Sequence, residues 1–390
     1  MVKYEKRKSL FCPRGRADGK NGDPDRIFFG RMLMKIGMLT SGGDCPGLNA
    51  VMRAFAKYAF SHIADVKIFG FLNGYTGLIE NEYEELEEKD FENLLLAGGT
   101  MLGSKRQPFK LMTETDGNNR SKLDKMKETY KNLGLDCLIT LGGAGTHKTA
   151  ALLSAEGCNV IGLPKTIDND IWGTDVTFGF ETAMETATLC IDKMHSTASS
   201  HGRIMLVEVM GNKVGWLTLY AGLAGGADMI LIPEIPYDED AVVEFLEKRR
   251  KAGARYSIVA IAEGAMSKEE AALRKKERLA LRAARGETTV TQRLARNIEA
   301  RTGVETRTQV IGYLQRGGSP NPYDRALCTL MGSYAGELAE KGKFGVTVAY
   351  SGGRVTYNSL SDIAGKAKSV PPTHPMVRAA KSIGISFGVF

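Results

Sequence analysis

Short apolar segments alternate with helical patterns along most of this chain, and this alternation constrains the fold more than any other feature of the sequence. Continuous apolar strands separated by helices are typical of parallel sheets that are covered on both faces. The candidate strands are residues 35–39, 67–71, 137–141, 159–163, 204–209, 229–232, 257–262, 308–313 and 346–350, and the clearest helical patterns are 48–58, 120–133 and 178–197. The sequence therefore predicts an α/β fold with doubly wound, mainly parallel sheets.

The first 33 residues differ in composition from the rest of the chain. They carry nine basic and four acidic residues without apolar periodicity, so +5 of the net charge of +7 lies in this segment. We expect a flexible extension, followed by a nearly neutral body that is long enough for two domains. A near-neutral body argues against a nucleic-acid partner, and apolar runs of only strand length argue against a membrane span.

Six cysteines occur in the chain, and none of them forms a C-x-x-C pair. Most lie in apolar or strand-like segments, where free cysteines are usually buried. We therefore predict reduced, buried thiols in a cytoplasmic protein, and neither a disulfide framework nor a zinc site. The six positions are Cys12, Cys45, Cys137, Cys158, Cys190 and Cys328.

Three glycine-rich segments indicate possible phosphate-binding turns: residues 40–49 (TSGGDCPGLN), 98–106 (GGTMLGSKR) and 141–146 (LGGAGT). Glycine lets the backbone approach a ligand closely, and the amides at the start of a following helix can bind phosphate. Arg106 could also hold phosphate oxygens through two hydrogen bonds. Each segment taken alone is also compatible with a purely structural or solvated turn.

The sharpest motif is residues 164–170 (PKTIDND), which follows a buried strand. Asp168 and Asp170 stand two residues apart, and Lys165 is close in sequence. Carboxylates with a nearby cation at a strand end suit a general base in a ligand cleft. A turn capped by Asp and Asn explains the motif equally well on these residues alone.

Charged residues also stand at or near strand ends in the second half of the chain. Arginine suits a sugar phosphate and buried glutamate suits sugar hydroxyls, so their shared position favours a ligand cleft over separate surface ion pairs. They are His201, Arg203, Glu208, Glu263, Glu305, Arg307 and Arg316. The charged segment 266–302 predicts a solvated helical hairpin.

Taken in order, these motifs resemble those of the phosphofructokinase family. They are TSGGDCPGLNA, GGTMLGSKR, LGGAGT, PKTIDND, SSHGRIMLVEVMG, AEGA, ETRTQVIGYLQRGGSP and YDRA, and they span residues 35–325. The resemblance implies two similar Rossmann-like domains with the active site in the cleft between them. We expect a phosphoryl-donor domain of residues 34–179 plus 316–362 and a fructose 6-phosphate domain of residues 180–315 plus 363–390, after an extension of residues 1–33.

The same resemblance implies an activity and a role for individual residues. A member of the family would use ATP and Mg²⁺ to phosphorylate the 1-hydroxyl of fructose 6-phosphate, giving fructose 1,6-bisphosphate in cytoplasmic glycolysis. Asp168 matches the catalytic base, Asp170 a carboxylate near the metal, and Arg203 a cation at the transferred group. The positions that match the sugar-phosphate site are Thr166, Asp168, Arg203, Met210, Gly211, Glu263, Arg307, Tyr313 and Arg316, and those that match the donor site are Gly43, Arg106, Gly143, Gly145 and Thr146.

Two of these residues imply an oligomer. The arginines that match Arg203 and Arg307 reach into the active site of a neighbouring subunit in the family. The resemblance therefore implies a homodimer or homotetramer with shared active sites.

One position departs from the pattern of the family. The motif is usually Gly-Gly-Asp-Gly followed by Thr or Ser, and its Asp positions Mg²⁺, whereas this chain has Ala144 there. A methyl group binds neither a metal nor its waters, and removal of one such electrostatic contact typically costs about 10²–10³ in rate. We therefore expect a chain that binds both substrates but turns over slowly.

Gly145 and Lys165 point to different phosphoryl donors. Gly145 leaves room for ATP, where an Asp would repel the α-phosphate and mark a pyrophosphate user, whereas Lys165 replaces the Gly of the best-known ATP enzymes. The absence of the repelling carboxylate favours ATP. A pyrophosphate-dependent enzyme and a catalytically weak subunit that binds the sugar phosphate remain the alternatives.

Overall fold

The computed structural model describes residues 33–117, 119–286 and 289–390. Across these residues the strands are β1 Met34–Ser41, β2 Val66–Phe71, β3 Tyr83–Leu86, β4 Cys137–Gly142, β5 Val160–Pro164, β6 Ile204–Val209, β7 Met229–Leu231, β8 Ser257–Ala262, β9 Thr306–Val310, β10 Val346–Ser351 and β11 Arg354–Ser359. The helices are α1 Leu48–His62, α2 Tyr75–Glu80, α3 Lys122–Leu133, α4 Ala144–Ala155, α5 Phe180–His201, α6 Trp216–Ala224, α7 Glu239–Lys251, α8 Lys268–Ala272, α9 Lys275–Ala284, α10 Val290–Thr302, α11 Pro322–Glu340, α12 Leu360–Ile363 and α13 Pro375–Ser382. Short 3₁₀ helices lie at Glu88–Phe91, Leu94–Leu96, Phe109–Leu111 and Gly312–Arg316. The predicted extension of residues 1–33 lies outside the described residues except for Leu33.

The first sheet has the strand order β11-β10-β5-β4-β1-β2-β3, and its central strands are parallel. Ser41 at the end of β1 pairs with Gly142 of β4, and Gly142 pairs with Pro164 of β5. Because these strands end in register, the loops that follow them emerge side by side. The glycine-rich turn after β1, the turn after β4 and the PKTIDND loop after β5 therefore meet at one edge of the sheet.

The second sheet has four parallel strands among the described residues, in the order β7-β8-β6-β9. Val209 at the end of β6 pairs with Ala262 of β8, and Glu208 pairs with Val310 of β9. The segments after β6, β8 and β9 therefore also lie together, and they contain residues of the predicted sugar-phosphate site. Apolar side chains of both sheets alternate between two packed faces, so helices cover each sheet on both sides. The predicted α/β class with mainly parallel sheets is confirmed.

A buried carboxylate joins two long helices beside the first sheet. Asp324, near the start of α11, is fully buried and accepts hydrogen bonds from the backbone N–H groups of Gly179 and Thr182, each at 2.9 Å. These amides begin α5, whose first turn otherwise leaves donors unpaired. Asp324 thereby fixes where α5 starts, directly after the segment that carries the PKTIDND motif.

One predicted strand needs correction, and two strands of the structure were not predicted. The predicted strand 308–313 begins at Thr306 and ends at Val310, because Gly312 adopts a positive φ of 55° and starts a 3₁₀ turn. Strands β3 and β11 were not predicted, since their sequences YEEL and RVTYNS are polar edge strands.

The prediction of a solvated hairpin over residues 266–302 is also wrong. The segment forms α8, α9 and α10, and Glu270 of α8 is fully buried. Its carboxylate pairs with Arg282, with Nε to Oε1 at 2.6 Å, and with Arg293 at 3.3 Å. The sequence shows the charges but not that they neutralise one another inside the fold.

The cysteines of the described part of the chain are free thiols, and four of them are buried: Cys45, Cys137, Cys158 and Cys328. Cys190 is partly exposed, and Cys12 lies outside the described residues. Within the described residues, no helix is both long enough and apolar enough to span a membrane.

Candidate active site

Two adjoining cavities lie where the carboxyl ends of the two sheets face each other. The first, of about 370 Å³, is lined mainly by the loops after β1, β4 and β5, and we call it the donor cavity. The second, of about 580 Å³, adds Met210, Glu263 and Tyr313 from the second sheet, and we call it the acceptor cavity. Both cavities are lined by Arg106, Asp168, Asn212 and Arg316. A group bound in one cavity can therefore reach a group bound in the other across Asp168.

The turn after β4 forms one wall of the donor cavity. Gly143 precedes α4, and Ala144, Gly145 and Thr146 occupy its first turn, where backbone N–H groups are free to bind an anion. Thr146 donates its hydroxyl to the carbonyl of Ser41 at 3.4 Å, which ties this turn to the one after β1. A Cβ atom built on Gly145 would meet no atom within 4 Å. Gly145 therefore borders open space in the cavity.

His147 supports this wall from inside the protein. The ring is buried, with Nδ1 3.0 Å from the carbonyl of Gly143 and Nε2 2.9 Å from the hydroxyl of Thr347. Burial lowers the pKa of His147 to about 4, so the ring is neutral near pH 7. A neutral ring donates through one nitrogen and accepts through the other, which matches these two partners.

Asp168 lies at the junction of the two cavities, in the loop after β5. Burial, together with the nearby carboxylates of Asp170 and Glu263, raises the pKa of Asp168 to about 7, although Arg316 and Lys165 oppose the shift. Its backbone N–H donates to the hydroxyl of Thr166 at 3.0 Å. A carboxyl group with a pKa close to working pH is well suited to accept a proton during a reaction.

Lys165 precedes this loop and is buried. Its ammonium group donates to the carbonyl of Gly43, which places a cation between the loops after β1 and β5. Burial lowers the pKa of Lys165, while nearby Asp168 and Asp44 act in the opposite direction. Lys165, which lines the donor cavity, therefore ties the turn after β1 to the base of the PKTIDND loop.

Arg316 enters both cavities from the 3₁₀ turn after β9. A Cβ atom on Gly43 would lie 2.5 Å from Nη1 of Arg316, so a side chain at position 43 would displace the guanidinium from this position. The guanidinium also lies over the ring of Tyr313, 5.6 Å from its centroid. Its Nε is buried and has no hydrogen-bond partner among the described residues.

Glu263 and the segment after β6 form the far wall of the acceptor cavity. The Glu263 carboxylate accepts the backbone N–H groups of Asn212 at 2.7 Å and Gly211 at 3.2 Å. Met210 donates its own N–H to the side chain of Gln315 at 3.4 Å. These contacts hold Glu263, Met210 and Tyr313 around one space, as the sequence motifs predict.

Three predicted site residues line neither cavity within one chain: Gly211, whose N–H donates to Glu263 beside the acceptor cavity, and the two arginines Arg203 and Arg307. Arg203 precedes β6, at the opposite end of the strand, and pairs with Glu305 at 2.7 Å. Arg307 lies on the edge strand β9 and pairs with Glu305 and Glu299. Their assignment to the site of a neighbouring subunit stays a prediction.

The side chains near the donor cavity offer few metal ligands. The described residues contain no group of three or more His, Cys, Asp or Glu side chains placed to hold a metal. Asp170 lines the donor cavity, and burial raises the pKa of its carboxyl group. Mg²⁺ at nucleotide sites is commonly held by one or two carboxylates together with phosphate oxygens and water, and Asp170 fits that mode. Ala144 adds only a methyl group to the same wall.

Some residues of the donor cavity were not predicted as site residues. Asp44, Tyr75, Gln107 and Phe109 line it, and the Tyr75 hydroxyl donates to the carbonyl of Thr146 at 3.0 Å. Asp44 and Gln107 stand within or beside quoted motifs and could have been found there. Tyr75 and Phe109 carry no sequence signal, because their segments reach the site only through the fold.

Comparison with known proteins agrees with this geometry. The family model described as phosphofructokinase matches residues 35–339. The chain belongs to the phosphofructokinase family. An ATP-dependent 6-phosphofructokinase of Spirochaeta thermophila is 51% identical over 357 residues, which cover 90% of this chain and 97% of the relative. An ATP-dependent 6-phosphofructokinase 3 of Bacteroides thetaiotaomicron is 45% identical over 91% of this chain and the whole of the relative.

Solved structures of phosphofructokinases share the fold. The Pichia pastoris phosphofructokinase in the T-state aligns with a TM-score of 0.74 at 28% identity, over 85% of this chain and 35% of that longer chain. A pyrophosphate-dependent phosphofructokinase of Marinobacter aquaeolei aligns equally well, with a TM-score of 0.74 over 88% of both chains. Its identity is 22%, so this second likeness bears on the fold alone.

Proposed function

We propose that this protein is an ATP-dependent 6-phosphofructokinase, which transfers the γ-phosphoryl group of ATP to the 1-hydroxyl of fructose 6-phosphate. The observation that carries the proposal is the meeting of the donor and acceptor cavities at Asp168. Relatives described as ATP-dependent 6-phosphofructokinases, 41–51% identical over most of the chain, support the same activity. Fructose 1,6-bisphosphate and ADP are the expected products.

The residues at the junction suit phosphoryl transfer. The reaction depends mainly on positioning and on neutralising the phosphoryl oxygens, with little covalent chemistry by the protein. Asp168, in its deprotonated form, accepts the proton of the 1-hydroxyl as that oxygen attacks the γ-phosphorus. Arg106 and Arg316 line both cavities and stabilise the negative charge on the group in transfer.

ATP is the proposed donor because position 145 is open. A side chain at Gly145 would project into empty space bordering the donor cavity, and glycine leaves that space to a nucleotide phosphate. Pyrophosphate is the second candidate, and the observation that favours it is the buried ammonium of Lys165 in the same cavity. The relatives are described as ATP-dependent enzymes, which favours ATP over pyrophosphate as the phosphoryl donor.

We infer that Asp170 would hold Mg²⁺ together with donor phosphate oxygens. Bound there, the ion would neutralise charge on those oxygens. Because Ala144 contributes no ligand, we propose that metal binding is weaker and turnover slower than with an Asp at this position.

Three further parts of the proposal concern the whole protein. Arg203 and Arg307 are each ion-paired outside the cavities of their own chain, so we propose a homodimer or homotetramer in which they complete a neighbouring site. We also propose a division into a donor domain of residues 34–179 plus 316–362 and a sugar domain of residues 180–315 plus 363–390. The proposed location is the cytoplasm.

The test is a coupled assay of fructose 1,6-bisphosphate formation with fructose 6-phosphate, Mg²⁺ and either ATP or pyrophosphate. The chain and its Ala144→Asp variant are compared side by side. We expect product with ATP from both proteins, with the variant faster by about 10²–10³-fold. A difference of less than about tenfold would contradict the role given to position 144. If neither protein forms product with either donor, the proposed activity is wrong. The remaining alternative is then a non-catalytic subunit that binds the sugar phosphate.

A further inference from the structure

A segment near the carboxyl terminus contacts the loop that carries Asp168 and Asp170, which we call the catalytic loop. We call this segment, residues 367–370, the strap. Ala367 forms an antiparallel bridge with Ile171. The backbone N–H of Lys368 donates to the carbonyl of Asp170 at 2.8 Å. The strap thus contacts the loop that carries Asp168 and Asp170, although it lies about 200 residues further along the chain.

The Lys368 side chain turns into the back of this loop. Its ammonium donates to the side-chain oxygen of Asn169 at 2.8 Å, to the carbonyl of Thr174 at 2.8 Å and to the carbonyl of Asp175 at 2.9 Å. An ammonium group has three N–H donors, and here each one has an acceptor. The three acceptors belong to one turn, so a single side chain fixes the shape of residues 169–175.

Asn169 is the residue that transmits this contact to the site. It stands between Asp168 and Asp170 and adopts a left-handed backbone with φ of 52°, a conformation that Asn adopts more readily than most residues other than glycine. Its side-chain oxygen accepts from Lys368 and from the N–H of Thr177, and its amide donates to the carbonyl of Asp175. These bonds hold the backbone conformation of the residue that lies between the two carboxylates.

The other side of the strap contacts the start of α6 and Glu234, which follows β7 of the second sheet. The indole N–H of Trp216 donates to the carbonyl of Lys368 at 2.9 Å, and the ammonium lies 5.5 Å from the centre of the indole ring. Glu234 accepts the N–H of Val370 at 2.9 Å and the N–H of Gly215 at 3.0 Å. The strap is therefore held at both of its ends, one against the catalytic loop and one against the start of α6.

We propose that Lys368 is a positioning residue for phosphoryl transfer, whose ammonium fixes Asn169 and thereby the orientation of Asp168 and Asp170. The kinetic part of this inference rests on the proposed function. Lys368 touches neither cavity, so it acts through the loop and not on a substrate. Removing it should lower turnover while leaving the sugar-binding residues after β6, β8 and β9 in place.

The kinetic experiment compares Lys368→Met, Lys368→Arg and Lys366→Met with the unaltered protein. Lys366 is exposed on the same segment and is the matched control. We expect Lys368→Met to lower kcat about 10²-fold with KM for fructose 6-phosphate changed less than about threefold, and the control to change neither. Lys368→Arg, which keeps the positive charge and several N–H donors, should retain part of the activity lost in Lys368→Met.

Amide hydrogen exchange of residues 166–177 tests the positioning without any activity. We expect faster exchange in this segment for Lys368→Met at pH 7 than for the unaltered protein or for the control Lys366→Met. Unchanged exchange, or kcat of Lys368→Met within about threefold of the original, would overturn the proposal. If the unaltered protein makes no fructose 1,6-bisphosphate, the proposed function fails while the exchange experiment still decides the role of Lys368.

Discussion

Replacement of Asp168 by Asn should lower activity and raise stability at the same time. The folded protein raises the pKa of Asp168 from 3.8 to about 7, chiefly through burial and then through Asp170 and Glu263. Between these two values the folded state binds more protons than the unfolded state, so the ionised carboxylate destabilises the fold progressively as pH rises. Asn has a similar shape and carries no charge, which removes this penalty.

The magnitude follows from the pKa. A rise from 3.8 to about 7 corresponds to about 4 kcal/mol, at about 1.36 kcal/mol for each pH unit. Because Asp168 is partly exposed to the cleft, solvent screens part of the destabilisation by its ionised carboxylate. We therefore expect Asp168→Asn to increase the free energy of unfolding by about 2–4 kcal/mol at pH 8. At pH 4, which is close to the unfolded pKa of 3.8 and well below the folded pKa of about 7, the gain should fall below about 1 kcal/mol.

The assay is urea unfolding of both proteins between pH 4 and pH 8, together with kcat for fructose 6-phosphate phosphorylation. We expect Asp168→Asn to lower kcat by about 10²–10⁴-fold, the usual contribution of a general base. Asp362→Asn, at an exposed position of α12, should change stability by less than about 0.5 kcal/mol at every pH. A stability difference that stays constant from pH 4 to pH 8, or a kcat above about a tenth of the original, would refute the reasoning.

Two other predictions test the donor wall and the buried charges. Gly145→Asp should leave the melting temperature unchanged, because its Cβ meets open space, but should raise KM for ATP at least about tenfold by repelling phosphate. Gly145→Ala is its uncharged control, and equal KM values for the two variants would contradict the electrostatic argument. Glu270→Gln should cost about 3–5 kcal/mol in urea unfolding at pH 7, since it leaves two arginines without their buried partner. Glu269→Gln, which breaks the exposed pair with Arg285, should cost less than about 1 kcal/mol, and similar losses for the two variants would show that burial of Glu270 adds nothing.

The position of the site could be predicted from the sequence because it depends on sheet geometry. Ser41, Gly142 and Pro164 end three neighbouring parallel strands in register, so motifs that directly follow strands had to meet at one edge. The pairing of β6 with β8 and β9 likewise brings together the segments that follow these strands, which carry residues of the predicted sugar-phosphate site. Strand periodicity and the order of motifs contain this information, and no long-range side-chain contact is needed to infer it.

What the sequence could not show is which charges are buried. Lys368 and Glu270 stand in polar segments whose pattern indicates solvated surface, and their acceptors or donors come from elements that only the fold brings near. A buried charge is tolerated only when its hydrogen bonds are satisfied, and that condition depends on tertiary partners.

These buried charges support the acceptor cavity from two sides. Lys368 holds the loop of Asp168 through Asn169, and Arg282, paired with Glu270, donates to the carbonyl of Ala265 at 3.2 Å, two residues after Glu263. Asp168 and Glu263, which both line the acceptor cavity, therefore lie on loops that are held by partly buried ion pairs or hydrogen bonds. Rigid support matters here because displacing a reacting group by about 1 Å can cost about 10² in rate. A charged segment that looks like solvated surface in the sequence can thus determine how accurately the catalytic carboxylates are placed.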